Sequence, residues 1–434
     1  MTITVSVPGT ISSDAAPGAA DAPDPWTAAL LASLPAPAGE LAGPLAAARA
    51  RLARQPFPSR RMEAWRFTPT TAITAVPPRL LPEESPPARP DWPSPAPSAC
   101  RLLLGGAHDP LATADLPVGV RRLQGDELAA VLAETSGADP GAGDWSALLN
   151  ASSCDRLLAL SVSGTVSVPL ELVSDAAAAE GVLPLRVLMV LEADARLDLV
   201  QVHRAAGTSL TSVAVQARLA EGARLRHGIV ARGHDQSVLL GQVDVLQRPG
   251  SRYSLASVCG GWGLARIEPT VVQNEGAAST RLRGLQLASG HQVSDTHSRI
   301  RFDGPDGELD QLHKAVADGQ ARSVFNGAVE VPRAAQRTHA AQMSRNLILS
   351  ERARIDTKPQ LEIVADDVSC THGATVSRLQ EEELFYLRSR GIASAEASRL
   401  LLRGFCDEVV EDLPEIARRW QPLAGLIGQE VAPA

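Results

Sequence analysis

A cysteine and a histidine two residues apart have the clearest capacity for chemistry in this sequence. Cys370 and His372 lie in the stretch "ADDVSCTHGAT", residues 365–375. On an extended strand both side chains point to one face, where a thiolate and an imidazole can bind a soft or borderline metal ion. A tetrahedral site needs four ligands, so the others would come from elsewhere in the fold or from a partner chain. The alternative is a buried cysteine and a hydrogen-bonded histidine that close the last turn of a strand region.

Other polar residues near this pair support weaker hypotheses. A cysteine nucleophile with a histidine base would need a third orienting group and a pocket, which the sequence does not show. Asp366 and Asp367 are adjacent, so on a strand they point to opposite faces, and a turn or capping role is expected. His291 and His297 are six residues apart and would share one face of an extended strand. Polar rungs of a sheet are the more typical role for such histidines.

The composition excludes several classes of function. The chain has 434 residues, and 41 Lys and Arg against 49 Asp and Glu give a net charge of -8, so nucleic acid is not an expected partner. Aromatic residues make up 3%, which leaves little material for platforms that stack bases or sugars. The only two lysines, Lys314 and Lys358, are not part of a GxxxxGK[ST] loop. The chain is therefore not itself a P-loop ATPase.

The cysteine pattern and the absence of long apolar runs predict a soluble cytoplasmic protein. No CxxC pair occurs, so neither a self-contained zinc site nor a disulfide framework is indicated. The first basic residue is Arg49, unlike the cationic start of a secretory signal. No apolar run approaches the roughly 20 residues of a membrane helix, and no membrane partner is expected. The five cysteines are Cys100, Cys154, Cys259, Cys370 and Cys406.

The elements that would position the Cys–His pair follow from a repeat. In "EADARLDLV", "AEGARLRHGIV" and "RPGSRYSLASV" a turn signal precedes a strand pattern, and Leu197, Leu225 and Tyr253 recur every 28 residues. A repeated strand unit buries its apolar side by stacking on its neighbours, about 4.8 Å per layer. The repeat favours a parallel β-helix, and a β-sandwich with hairpins is the alternative.

The flanks of this repeat region differ from it. Residues 1–24 are predicted to be a disordered arm, and 25–150 a mostly helical region with a Pro-rich linker at 77–97. The β-helix core is expected over 151–372 and a C-terminal helical domain over 373–434. Leu401, Phe405 and Val409 lie at i, i+4 and i+8 of one predicted C-terminal helix and form an apolar stripe.

Two long stretches of the sequence resemble the SufB/SufD family of SUF iron–sulfur cluster assembly scaffolds. They are "STRLRGLQLASGHQVSDTHSRI" and the stretch from "SVFNGAVEVPRAAQ" to "ELFYLRSRGI", and a weaker match is "RMEAWRFT" at residues 61–68. The resemblance covers most of residues 280–410, whereas the N-terminal third departs from the family pattern. The chain is most similar to the SufD subunit. It is comparatively short, has no N-terminal cysteine motif, and carries Gly after His in "CTHGAT", where SufB chains usually have Glu.

The resemblance implies a fold, partners and a role. The fold would be a right-handed parallel β-helix core flanked by N-terminal and C-terminal α-helical regions. The chain would be a non-catalytic scaffold subunit that pairs with a SufB-like subunit and docks a SufC-like ABC-type ATPase through the C-terminal helices, where Leu401, Phe405 and Val409 are candidate partner-binding residues. His372, with Cys370, would lie at the SufB–SufD interface as a candidate ligand of a transient iron–sulfur cluster. No cofactor would be tightly bound to the isolated chain, which could form a homodimer.

Two other functions are kept as alternatives. A carbohydrate-active β-helix lyase or hydrolase would need paired carboxylates and aromatic subsites along one face, and Trp262 is the only tryptophan inside the repeat region. An independent metal-dependent enzyme would use His291, His297 and His372 together.

Overall fold

The computed structural model describes residues 23–81, 92–96, 98–105, 109–112, 114–135, 144–176 and 180–427. The predicted arm at 1–24 and the centre of the predicted linker at 77–97 lie largely outside these residues. The described helices are α1 Pro25–Ser33, α2 Ala42–Leu52, α3 Thr71–Ala75, α4 Gly125–Thr135, α5 Trp145–Ser153, α6 Glu381–Ser389, α7 Ser394–Val410 and α8 Glu415–Arg418. The first strands are β1 Cys100–Leu104, β2 Val120–Arg122, β3 Leu157–Val162, β4 Leu170–Ala176, β5 Gly181–Leu191, β6 Arg196–Ala205, β7 Ser209–Leu219, β8 Arg224–Arg232 and β9 Val238–Gln247. They are followed by β10 Arg252–Gly260, β11 Leu264–Gln273, β12 Ser279–Ala288, β13 Val293–Phe302, β14 Glu308–Ala317, β15 Arg322–Val331, β16 Thr338–Ile348, β17 Arg354–Ile363 and β18 Val368–Ser377.

The strands form two nine-stranded sheets that wind into a parallel β-helix. Sheet 1 has the order β1-β4-β6-β8-β10-β12-β14-β16-β18, and sheet 2 the order β2-β3-β5-β7-β9-β11-β13-β15-β17. From β3 onward the chain alternates between the sheets, so each coil adds one strand to each. All pairings within the sheets are parallel except that of β2 with β3. The predicted fold, a mainly β chain with a β-helix core flanked by helical regions, is confirmed.

The 28-residue repeat corresponds to one coil of this β-helix. Leu197 pairs in register with Leu225, and Leu225 with Tyr253, on the adjacent strands β6, β8 and β10. All three side chains are buried in the interior core. Stacking identical positions of successive coils therefore buries the apolar side of each repeat.

The corners of the coils need a left-handed backbone conformation at a recurring position. Asp194, Gly222 and Gly250 are also spaced by 28 residues and have φ of 57°, 70° and 72°. The corners stack closely, since a Cβ on Gly222 would lie 2.3 Å from Asp194 Oδ1. Glycine at this position therefore adopts the positive φ without strain and leaves room for the side chain of the preceding coil.

Three main apolar cores hold the fold together. The first fills the interior of the β-helix. The second lies between the outer face of sheet 1 and the C-terminal helices, and the third between the outer face of sheet 2 and helices α1, α2, α3 and α5. The two helical regions thus cover opposite outer faces, and among the described residues no strand continues the β-helix beyond β17 and β18.

Two element boundaries differ from the sequence-based expectation. Strand β18 continues to Ser377, five residues beyond the predicted end of the core at 372. Strand β1 lies inside the region predicted to be mostly helical and pairs with β4. Its Leu102 and Leu104 are 0% and 4% exposed because they alternate into the interior core, where they cover the first coils.

Candidate functional site

The last coil of the β-helix has two open strand edges. Strands β17 and β18 end their sheets, and in the described part of the chain no strand pairs with their outer edges. Both strands are mostly exposed or half-buried, whereas earlier strands such as β15 and β16 are mostly buried. An uncovered edge presents unpaired N–H and C=O groups that can pair with another chain.

Cys370 and His372 both lie on β18, at the end of two inward-facing columns of side chains. Cys370 is in register with Ala340, which lies in the interior core, and is itself half-buried against that core. His372 is in register with Gln342, which is in turn in register with Gln311. Gln342 and Gln311 are 2% and 4% exposed, and the side-chain amide of Gln342 donates to Gln311 Oε1 at 2.8 Å.

His372 is exposed because β18 is the last strand of sheet 1 in the described part of the chain. The structure therefore brings the pair together on one face of an edge strand, as its spacing predicts. Burial raises the pKa of the Cys370 thiol, partly offset by a backbone hydrogen bond involving Ala340. Metal binding at Cys370 would therefore have to displace a proton.

The pair does not form a complete metal site by itself. In the part of the chain that the structure describes, no group of three or more His, Cys, Asp or Glu side chains is placed to hold a metal ion. Two ligands on an open edge can take part in a tetrahedral centre only if other groups supply the rest. The geometry thus fits a centre shared with another chain.

The glycine after His372 accommodates a neighbouring side chain. A Cβ on Gly373 would lie 3.0 Å from Cε and 3.2 Å from Sδ of Met343, which is in register with it on β16. A longer residue here would require the end of the Met343 side chain to move. The small residue in "CTHGAT" therefore lets Met343 pack across β18.

The predicted partner-binding stripe on α7 turns largely toward the protein itself. Val409 is 0% exposed and packs against sheet 1, so it offers no surface to a partner. Phe405 is half-buried in the same core, with the ammonium of Lys314 4.4 Å from its ring centre. Leu401 is half-buried and lies outside that core. The stripe packs inward because it faces the apolar outer side of sheet 1.

A different set of apolar side chains is exposed on the C-terminal helices. Phe385 and Tyr386 on α6 are 71% and 58% exposed, and Leu400 on α7 is 44% exposed. Leu400 directly precedes the half-buried Leu401, and the three exposed residues belong to two helices that contact each other. They provide an apolar surface that stays exposed among the residues the structure describes.

The other histidines singled out from the sequence are separated in the structure. His291 is exposed in the turn before β13, whereas His297 lies within β13, so the two do not share a face of one strand. His297 Nε2 is 2.9 Å from Asp295 Oδ1 on the covered side of sheet 2, and His372 is on sheet 1. A metal enzyme that uses all three histidines is therefore inconsistent with the fold.

Sequence reasoning missed a buried charge cluster that ties the N-terminal region to sheet 2. The guanidinium of Arg266 is 1% exposed and forms ion pairs with Glu268 at 2.7 Å and Asp295 at 2.6 Å. It also lies 4.2 Å from the ring centre of Trp65. Thr68 Oγ1 donates to Asp295 Oδ2 at 2.5 Å. The signal in the sequence was "RMEAWRFT", whose Trp65 and Thr68 contact the cluster.

The pKa shifts of the two carboxyl groups in this cluster follow from their burial and their contacts with Arg266. Burial opposes ionisation of Asp295, but Arg266, His297 and Thr68 together lower its pKa below the usual value. Burial raises the pKa of Glu268, which Arg266 only partly offsets. We assign the ionised form to Asp295 because it accepts hydrogen bonds from both Arg266 and Thr68.

The interior of the β-helix also contains three neutral histidines. Burial lowers the pKa of His203 to about 4 and that of His227 and His313 to about 3, with a further contribution from His203 at His227. His203 Nδ1 lies 2.8 Å from Ser174 Oγ, and His227 Nδ1 lies 3.0 Å from the Tyr253 hydroxyl. These residues act as interior polar positions of the coils.

The fold and the site together define a class of protein. It is a parallel β-helix whose Cys–His pair lies on an edge strand that is open to another chain. The family model for the SUF system FeS cluster assembly SufBD core domain matches residues 174–405, more than half of the chain. The chain belongs to this SufBD family of SUF-system iron–sulfur cluster assembly proteins.

Several curated proteins are similar to this chain. An iron–sulfur cluster assembly SufBD family protein of Synechocystis sp. is 39% identical over 239 residues, which cover 53% of each chain. Protein ABCI7, chloroplastic, of Arabidopsis thaliana is 38% identical over 205 residues, 47% of this chain and 43% of its own. Iron–sulfur cluster assembly protein SufD of Escherichia coli is 33% identical over 226 residues, 50% of this chain and 53% of its own. The chain thus spans about half the length of the curated relatives it matches.

Two further observations bear on the alternatives. Trp262 is 1% exposed inside the core, so it cannot form an aromatic subsite for a sugar. Among the helices that the structure describes, none is both long and apolar enough to cross a membrane.

Proposed function

We propose that this chain is the SufD-like scaffold subunit of a SUF complex and pairs with a SufB-like subunit through its last coil. The observation that carries the proposal is the open edge of β18, which presents Cys370 and the exposed His372 on one face. A second chain that pairs with this edge would approach both side chains and could supply the missing ligands. The iron–sulfur cluster is then the cargo of the interface, and the chain itself is not an enzyme.

The ATPase partner would bind the C-terminal helices. This chain has no P-loop, so a SufC-like ABC-type ATPase would supply ATP hydrolysis. The exposed Phe385, Tyr386 and Leu400, with the adjacent Leu401, form the surface that it would contact. Phe405 and Val409 would act indirectly, because they hold α7 on sheet 1.

The helices give the ATPase a route to the site. When the ATPase dimerises on binding ATP, it would pull on the C-terminal helices of both scaffold subunits. Helix α6 begins at Glu381, four residues after β18 ends at Ser377, so a displacement of α6 reaches the edge strand directly. We infer that this movement opens the interface around His372 to iron and sulfide.

The test is a His372→Ala variant in the complex purified with its SufB-like and SufC-like partners. The matched control is His339→Ala, because His339 is an exposed histidine on the neighbouring strand β16. The readouts are iron and acid-labile sulfide per complex after anaerobic assembly, and the mass of the complex. We expect His372→Ala to abolish cluster formation and leave the complex assembled, and His339→Ala to behave as the unmodified protein.

Cys370 is tested in the same assay. Cys370→Ser is compared with Cys100→Ser, since Cys100 is half-buried on β1 at the opposite end of sheet 1. Loss of cluster only in the first variant supports a ligand role. A normal cluster yield from His372→Ala would overturn the assignment, and a chain that forms no complex with a SufB-like subunit would overturn the proposed pairing.

A further inference from the structure

The column of inward-facing side chains that ends at His372 changes from apolar to polar in its last coils. Leu255 and Leu282 are in register on β10 and β12, and both lie in the interior core. The next positions are Gln311 on β14 and Gln342 on β16, and His372 follows on β18. A buried amide is unfavourable unless its polar atoms find partners, whereas leucine would fit the interior without this cost. The two glutamines that precede His372 therefore have a role other than core packing.

The hydrogen bonds of the two amides run in one direction and leave one end open. Gln311 Nε2 donates to Ser298 Oγ at 2.7 Å, and Gln342 Nε2 donates to Gln311 Oε1 at 2.8 Å. Both ends of the Gln311 amide are thereby used. Gln342 Oε1 is buried and has no hydrogen-bond partner among the residues that the structure describes. A buried acceptor without a partner is unfavourable, so this oxygen marks a place where a donor is missing.

The groups around the Gln342 amide fix its position. Its Nε2 packs against Gly327 on β15, where a Cβ would overlap with it. Because Nε2 is bonded to Gln311 on the preceding coil, and the two polar atoms of an amide point in different directions, Oε1 faces away from that coil. The strand on the other side of β16 is β18, which carries His372.

His372 is placed to supply the missing donor. It is related to Gln342 as Gln342 is related to Gln311, since each pair is in register on adjacent parallel strands of sheet 1. Such strands lie about 4.8 Å apart, and one step of this length already lets the Gln342 amide reach Gln311. The His372 ring is exposed at the end of the column, so it is free to turn toward Gln342. A neutral imidazole has one N–H donor to offer and one nitrogen acceptor.

We propose that Gln342 is a positioning residue for His372. One ring N–H of His372 donates to Gln342 Oε1, and the other ring nitrogen is presented without a proton at the open edge of β18. Histidines that bind metal ions typically donate their second ring N–H to an acceptor of the protein, which fixes the tautomer and the direction of the ring. The ligand role of His372 rests on the proposed function, whereas the hydrogen bond to Gln342 is a property of this chain alone.

The first experiment is NMR of the isolated full-length chain with isotope-labelled histidine rings, at about pH 8.5, where an ordinary imidazole is neutral. Nitrogen chemical shifts distinguish a protonated ring nitrogen from an unprotonated one, and the signals lost in His372→Ala identify this residue. The variant is Gln342→Met, which is similar in size but has no amide. The matched control is Gln286→Met, because Gln286 is a buried interior glutamine on β12 whose amide is hydrogen-bonded at both ends. Circular dichroism checks that each variant is folded.

We expect a single tautomer for His372 in the unmodified chain, in contrast to a mixture of both tautomers for the exposed His339. In Gln342→Met, His372 should become such a mixture, and in Gln286→Met it should remain a single tautomer. A mixture in the unmodified chain, or a single tautomer that persists without Gln342, would overturn the proposal. An equal change in Gln286→Met would also overturn it, since the effect would then be a general one on the interior.

The second experiment is cluster assembly in the complex with the SufB-like and SufC-like partners. Loss of such an outer hydrogen-bond partner typically weakens a metal site about 10- to 100-fold. Gln342→Met should therefore raise the iron concentration for half-maximal cluster formation at least about tenfold, and Gln286→Met should leave it unchanged. If His372→Ala abolishes the cluster while Gln342→Met has no effect, the positioning role is wrong. If His372→Ala gives a normal yield, the proposed function is wrong, and the tautomer measurement still decides whether Gln342 accepts the hydrogen bond.

Discussion

Lys314 fastens the C-terminal helices to the β-helix, and its replacement by Met should release them. The Lys314 side chain is 3% exposed on β14. Its ammonium donates to the Phe405 carbonyl oxygen at 2.6 Å and pairs with Glu408 Oε2 at 2.5 Å, both on α7. It also lies over the Phe405 ring. One side chain therefore makes three contacts with α7 from the sheet.

The magnitude follows from these contacts. A hydrogen bond from a charged donor contributes about 1.5–3 kcal/mol, and a cation–π contact about 0.5–1 kcal/mol. The pair with the half-exposed Glu408 is screened by solvent and adds about 0–1 kcal/mol. The substitution also removes the cost of burying a charged ammonium, and this gain offsets part of the sum. We expect Lys314→Met to destabilise the attachment of α7 by about 2 kcal/mol, which corresponds to about a 30-fold larger opening constant.

The assay is hydrogen–deuterium exchange of the intact chain. Amides of α7 should exchange about 30-fold faster in Lys314→Met, while amides of the interior strands such as β10 should be unchanged. The matched control is Lys358→Met, because Lys358 is the only other lysine and pairs with Glu63 at the surface. That variant should leave exchange in α7 unaltered.

The same variant also distinguishes packing of the C-terminal helices on the β-helix from their binding to the ATPase. If Lys314 fastens α7, its loss should weaken capture of a SufC-like ATPase without unfolding the β-helix. Unchanged exchange in α7 would refute the reasoning, since it would mean that the apolar contacts of Val409 and its neighbours hold the helix alone. Faster exchange throughout the interior strands would also refute it.

Three further predictions concern the stability of the β-helix, each measured from urea unfolding. His203, His227 and His313 take up a proton near pH 6.5 in the unfolded chain but stay neutral in the folded chain. The free energy of unfolding should therefore decrease as the pH falls from 7.5, by about 1.4 kcal/mol per histidine at pH 5.5. His313→Gln should remove about one third of this loss, and an unchanged pH dependence would argue against a neutral buried His313. Arg266→Met leaves two buried carboxylates without their cation and should cost about 3–5 kcal/mol; a cost below 1 kcal/mol would contradict the buried pairing. Leu225→Ala opens a cavity in the interior core and should cost about 2–5 kcal/mol, whereas a neutral effect would show that the coil can collapse around the gap.

The repeat was the most informative part of the sequence. Leu197, Leu225 and Tyr253 could be aligned from spacing alone because each coil must place an apolar residue on the interior column at the same point. The structure extends this column through Ala340 to Cys370. The spacing of Cys370 and His372 therefore predicted a shared face, and the presence of only two ligands where a tetrahedral site needs four predicted incomplete ligation.

The spacing of residues could not show which surface the apolar stripe of α7 faces. The i, i+4, i+8 spacing of Leu401, Phe405 and Val409 indicates a helix with one apolar face, but it is the same whether that face meets a partner or the chain's own sheet. The outer face of sheet 1 is apolar at Val200 and Val258, and the stripe packs against it. The exposed Phe385 and Leu400 carry no periodic signal, so only the packed structure identifies them as surface.

The contacts of the buried charge cluster were likewise not predicted, although "RMEAWRFT" marked the N-terminal segment that takes part in them. Arg266, Asp295 and Trp65 are polar or aromatic residues with no local pattern, and they meet only because adjacent coils stack and the N-terminal region folds over sheet 2. The sequence by itself determined the coil, its period and the residues on its inner face, because these depend on short-range alternation that repeats. The tertiary structure decided which outer faces are covered, which strand edge stays open and which charges share a buried site, because those outcomes depend on where separate segments come to rest against one another.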